Sequence, residues 1–151
     1  MRIGIEDERD HLLRYECASE VVLNEARSDD VERYIQDHGP VAISELTVVE
    51  MRCLLGRWGR EKNIDSKIEA QVFVTFQDDM RQGFLICHPL PKNVAAGSVN
   101  LLPMLADVPL RMLNVLHPMV AKEIQTDILA TADKIMAMGG KLMGFAVMRF
   151  D

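Results

Sequence analysis

Glu50 and Asp133 are the two carboxylates whose settings point to chemistry. On a helix, Glu50 shares its face with Leu46, Thr47, Cys53 and Leu54, three and four residues away. That face is mostly apolar, so the carboxylate projects into a buried environment. A buried, unpaired carboxylate is costly and must be protonated, paired or bound to a cation. The bland alternative is a salt bridge to a nearby arginine. Asp133 follows a short apolar stretch directly, in DILATADK. Its bland alternative is helix capping, with Thr131 as the cap and the acid in the first turn. Asn114 sits between Leu110, Arg111, His117 and Pro118 on a third, mostly apolar face. A lone asparagine there reads as a satisfied core amide, and His117 as a core or rim histidine. Pro118 offers no N–H to the carbonyl of Asn114, which predicts a kink or a helix restart at that point.

A second group is basic. Arg52, Arg57, Arg60 and Lys62 lie close together with Trp58 among them. Such a run could meet phosphates by charge and a base by stacking, or form a solvated helix end. Other chemistries find no support. There is no glycine-rich phosphate loop and no Gly-x-Ser-x-Gly. His11, His38 and His88 have no metal-ligand spacing.

The elements that must position these groups alternate. RIGIE (2–6) reads as a short strand and residues 10–25 as a helix. SDDVERYIQDHG (28–39) is a helix with Ser28 as cap and Gly39 as stop. PVAIS (40–44) is a buried strand, 45–61 a helix, and 65–82 another starting at Asp65. GFLICHPL (83–90) is a strand ended by proline. Residues 93–105 and 110–124 are helical. TDILAT (126–131) is a strand, ADKIMAMGG (132–140) a helix closed by glycine, and GFAVMRF (144–150) a last strand. Short apolar strands separated by helices predict a parallel sheet covered on both faces, an α/β three-layer fold. Ligands in such sheets bind outside the C-terminal strand ends.

Composition bounds the reading. The 151 residues are 48% hydrophobic and 26% charged, with mean hydropathy +0.01, as in one globular domain spanning 1–151. No apolar run approaches the ~20 residues of a membrane span. The first residues, MRIGIEDERD, carry acids where a secretory signal has bases. Three cysteines, Cys17, Cys53 and Cys87, form no Cys-x-x-Cys pair, which predicts reduced thiols in a cytoplasm. Residues 1–37 hold 11 acids and 5 bases, whereas 38–151 are balanced, so the whole net charge of −6 sits in the N-terminal quarter. That excludes a large basic nucleic-acid surface but not a local one.

The segments AISELTVVEMRCLL, PLRMLNVLH and DILATADKIMAMGG resemble PIN-domain nucleases in order and spacing. The likeness is nearest to VapC-type ribonuclease toxins of bacterial toxin–antitoxin pairs. NEARSDDVERYI (24–35) also resembles their first connecting helix, and the resemblance covers residues 24–147. It implies a three-layer α/β/α PIN-like fold with a central, mostly parallel sheet. It further implies an RNA substrate, an antitoxin protein and a homodimer. Four acidic positions would hold Mg²⁺ or Mn²⁺, activating a water against an RNA phosphodiester. Glu50 falls on the second acid and Asp133 on a later one, and both would be catalytic metal ligands. Asn114, in NVLH, falls on the third acid, where it has lost its charge but could offer an amide oxygen. The first acid has two placements. YECAS (15–19) puts Cys17 there, whereas RIGIE as first strand puts Glu6 or Asp7 there, with Glu16 and Glu20 as nearby substitutes. Arg57 and Arg60 would face the RNA. Two readings follow: a metal-dependent endoribonuclease with an altered site and weakened activity, or a catalytically degenerate PIN-fold module that binds a partner such as an antitoxin. A third takes the polar core groups as purely structural.

Overall fold

A computed structural model describes residues 11–13, 28–61 and 64–150 of the chain. Among the described residues five strands build one sheet: β1 (His11–Leu13), β2 (Val41–Ser44), β3 (Leu85–His88), β4 (Ile128–Thr131) and β5 (Ala146–Arg149). Their order across the sheet is β3-β2-β1-β4-β5. All the pairings are parallel, with Ile43 opposite Cys87 and Ala130 opposite Met148. The helices are α1 (Ser28–His38), α2 (Glu45–Arg60), α3 (Ser66–Arg81), α4 (Val94–Leu101), α5 (Met112–Glu123) and α6 (Lys134–Leu142). A 3₁₀ turn, Leu102–Leu105, follows α4.

Strand alternation sends successive side chains to opposite faces. Val41, Ile43 and Ala130 pack with Tyr34 of α1, Met51 and Leu55 of α2, and Val72 and Phe76 of α3. Leu129 packs with Ala121 of α5 and Met136 of α6 on the other face. Val94 of α4 joins Met119 and Val120 of α5 there. The sheet is therefore the middle of three layers, as the apolar strand pattern predicts. Among the described residues no helix is long and apolar enough to cross a membrane.

Local signals fix many boundaries. Gly39 ends α1 at φ +80°, a backbone conformation favourable only without a Cβ. Ser44 closes β2 and caps α2, its Oγ accepting from Thr47 N–H at 3.4 Å. Asp65 caps α3, accepting from Ile68 N–H at 2.8 Å.

Several expectations are corrected. Residues 11–13 form the central strand inside the stretch 10–25 expected to be helical. Parallel pairing to β2 and β4 satisfies both edges of this short segment, and tertiary context overrides its helical pattern. RIGIE lies outside the described residues. Gly139 and Gly140 do not stop α6, which runs on to Leu142 and ends before Gly144 at φ +95°. They serve close packing instead. A Cβ on Gly140 would lie 2.6 Å from Leu129 Cδ2, and one on Gly139 2.9 Å from Leu110 Cδ2. Pro118 neither breaks nor restarts α5, which is continuous from Met112 to Glu123. Asp133, not Thr131, caps α6, accepting from Met136 N–H at 2.9 Å. Thr131 acts one step earlier, its Oγ1 accepting from Asp133 N–H at 3.0 Å.

Candidate functional site

β2 and β4 flank β1 and end at Ser44 and Thr131, both fully buried. The two acids follow these strand ends, Glu50 in the second turn of α2 and Asp133 at the cap of α6. Both reach the same helix, α5, and meet side chains one turn apart on it. His117 Nε2 lies 2.7 Å from Glu50 Oε2. Asn114 Nδ2 donates to Asp133 Oδ2 at 3.0 Å. Because α2 and α5 cover opposite faces of the sheet, the Glu50–His117 bond ties the two helical layers together.

Each partner is fixed in turn. His117 is completely buried, Glu50 is 7% exposed and Asn114 6%. An ionised carboxylate only accepts hydrogen bonds, so with Glu50 in that form Nε2 would be the donor of this contact. Asn114 Oδ1 accepts from the Arg111 backbone N–H at 3.1 Å, satisfying an orphan donor at the start of α5. That bond turns the amide nitrogen toward Asp133. Asp133 Oδ1 is committed to the Met136 N–H, so both of its oxygens accept hydrogen bonds.

Among the described residues, three buried polar atoms around this seam have no hydrogen-bond partner: Thr47 Oγ1, Glu50 Oε1 and His117 Nδ1. Thr47 and Glu50 are one turn apart on α2, and His117 faces Glu50. Glu50 also lines an apolar groove of about 460 Å³ between α2 and α5. Leu46, Val49, Leu54, Met112 and Leu113 form its walls, with Arg57 and Arg60 alongside. Val49 is 60% exposed and Met112 70%, an unusual amount of apolar surface for two neighbouring helices.

Glu50 is buried as its helical spacing predicts, but its partner is a histidine rather than an arginine. His117 is the partner of Glu50 that spacing alone undervalues. Its only local signal is its place one turn from Asn114 on an apolar face. Asp7 and Cys17, the two placements of the first acid, lie outside the described residues, as do Glu6, Glu16, Glu20 and Lys62. The basic run divides. Arg57 and Arg60 line the groove, whereas Arg52 stands 4.9 Å from the Phe73 ring centroid and 3.9 Å from Glu69. Trp58, on α2 itself, is half-buried with part of its surface packed against the core. Cys53 and Cys87 are free thiols. Burial, reinforced by the Glu45 carboxylate, pushes the Cys87 thiol up, which disfavours the nucleophilic thiolate.

A hard divalent cation needs several oxygen ligands converging on one point. Among the described residues no group of three or more His, Cys, Asp or Glu side chains is placed to hold a metal ion. Asn114 presents nitrogen, not oxygen, to Asp133, and His117 Nε2 covers one oxygen of Glu50. Glu50 Oε1 is the one open carboxylate oxygen of the two acids. The described donor set therefore does not fit Mg²⁺ or Mn²⁺.

No protein-family model matches the chain, and no curated protein matches it. A solved structure does. The chain superimposes on a chain in the crystal structure of VapBC2 from Rickettsia felis bound to a DNA fragment from their promoter. The TM-score is 0.66 at 11% sequence identity, covering 93% of this chain and 98% of that one. At that identity the likeness is one of fold, and it is the PIN/VapC-like fold that the motifs resemble.

Proposed function

We propose that this chain is a toxin-type PIN-fold protein that acts by binding, its hard-cation nuclease chemistry lost with the altered acids. The supporting observation is the state of the two acids. Asp133 has both oxygens hydrogen-bonded, one of them to the amide of Asn114, and Glu50 is paired with His117. The partner in this reading is an antitoxin-type protein seated in the apolar groove of α2 and α5, with Arg57 and Arg60 alongside. A homodimer in a reducing cytoplasm completes it.

The second reading is a Mg²⁺- or Mn²⁺-dependent endoribonuclease of weakened activity. Two observations favour it. Glu50 and Asp133 both bond to side chains one turn apart on α5, and Glu50 Oε1 is buried without a partner. In that reading Glu50, Asp133, Asn114 and a first acid at Asp7 or Cys17 surround the ion, and Arg57 and Arg60 meet the RNA.

Structured RNA incubated with purified protein and millimolar Mn²⁺ separates the two. The binding reading expects no cleavage above a metal-free control. Cleavage that a chelator removes and Glu50→Ala abolishes would establish the nuclease instead.

A further inference from the structure

We infer that Asn114 and His117 are positioning residues that do the work of a divalent cation, with Asn114 the residue that decides whether the site takes an ion. This deepens the binding reading above and rests on it for its setting, but its test is separate. Two buried or half-buried carboxylates that reach the same helix, one turn apart, each need a counter-group, because burial and a nearby like charge both disfavour ionisation. A bound cation is one solution. This chain carries another inside α5. His117 Nε2 lies 2.7 Å from Glu50 Oε2, and Asn114 Nδ2 donates to Asp133 Oδ2 at 3.0 Å.

The orientation of Asn114 is built rather than incidental. Its oxygen is held by the Arg111 backbone N–H, an orphan donor that needs an acceptor at that position. With the oxygen so engaged, only the amino group can face Asp133. The same residue therefore starts α5 through its oxygen and donates to the cap of α6 through its nitrogen, and only an amide fills both roles at once. An aspartate at 114 would keep the first role, since a carboxylate oxygen also accepts from Arg111. It would reverse the second, placing a negative oxygen about 3 Å from the Asp133 carboxylate, a distance at which like charges repel strongly. A cation would then be required where none is needed now. His117 remains on Glu50 in either case, so the switch rests on one side chain.

The prediction is a change in metal linkage. Ligands that bind only the folded state raise Tm by mass action. The wild-type chain should melt at the same temperature with and without 10 mM (order of magnitude) Mn²⁺ or Mg²⁺. Asn114→Asp should melt lower in chelator and recover by about 3 °C or more on adding Mn²⁺. The exchanged pair, Asn114→Asp with Asp133→Asn, restores one amide and one carboxylate. It should regain most of the lost Tm in chelator and show no metal response. A residue that merely fills space would not produce this reciprocal pattern. If Asn114→Asp does not fold, the exchanged pair and the wild type still decide the matter.

A wild-type Tm that rises with Mn²⁺ as much as the variant's would overturn the inference. So would an exchanged pair as unstable in chelator as, or less stable than, Asn114→Asp. RNA cleavage by the wild type without a Mn²⁺-linked rise in Tm would refute the binding reading and leave the inference standing. A Tm rise without cleavage would do the reverse.

Discussion

The seam joining α2 to α5 and the groove beside it between the same two helices, with Glu50 at their junction, are built from opposite materials. In the seam, Glu50, His117 and Asn114 are almost wholly buried, and their hydrogen bonds run to one another, to Asp133 and to the backbone. In the groove, Val49 and Met112 are mostly exposed, and Arg57 and Arg60 stand in solvent at its side. The first region spends its polar groups on holding two layers of the fold together. The second leaves apolar and cationic groups unspent. Buried pairing contributes to the specificity of the folded state, whereas exposed apolar surface beside charge serves recognition. Proximity to the acids is thus not the measure of function here, since the residues nearest the acids are the ones most committed to structure.

Substitutions on the two sides should separate these roles, and the largest effect belongs to the seam. His117→Ala leaves the Glu50 carboxylate buried without its partner, and such losses cost about 3–5 kcal/mol. Urea unfolding measures it. Adding Glu50→Leu to that variant should recover part of the loss, because the stranded charge is then gone. Asp133→Ala comes next, at about 1–2 kcal/mol, from the loss of the α6 cap and the stranding of the Asn114 amino group. The groove should scarcely respond. Arg57→Glu with Arg60→Glu should change stability by less than about 0.5 kcal/mol, as exposed substitutions do. The same pair should weaken capture of an antitoxin-type partner and, if RNA is bound, flatten the salt dependence of that binding. A large loss of stability from the arginine pair would erase the contrast between the two regions.

Most of the scaffold is legible in the residues because its signals are local. Gly39 stops α1, Ser44 and Asp65 cap the helices that follow them, and runs such as VAIS and ILAT are short and apolar enough to be buried strands. What is not legible depends on contacts distant in sequence. Residues 11–13 are a strand because β2 and β4 present edges to both sides, which no window around HLL reveals. Gly139 and Gly140 look like a helix stop, yet they are close approaches to Leu110 and Leu129. The site divides in the same way. The burial of Glu50 follows from its helical neighbours. Its pairing with His117, 67 positions away, does not. Asn114 is identifiable as an altered acid from the motif, but the direction of its amide is set by Arg111 N–H and Asp133, and that direction turns an expected ligand into a donor.

Calorimetric titration of Mn²⁺ into the purified wild-type chain bears most directly on whether α5 or an ion satisfies the two acids. No saturable heat up to about 10 mM Mn²⁺ is the expected result, because Asn114 already occupies Asp133. A one-to-one isotherm with Kd below about 1 mM, abolished by Asp133→Ala, would contradict it.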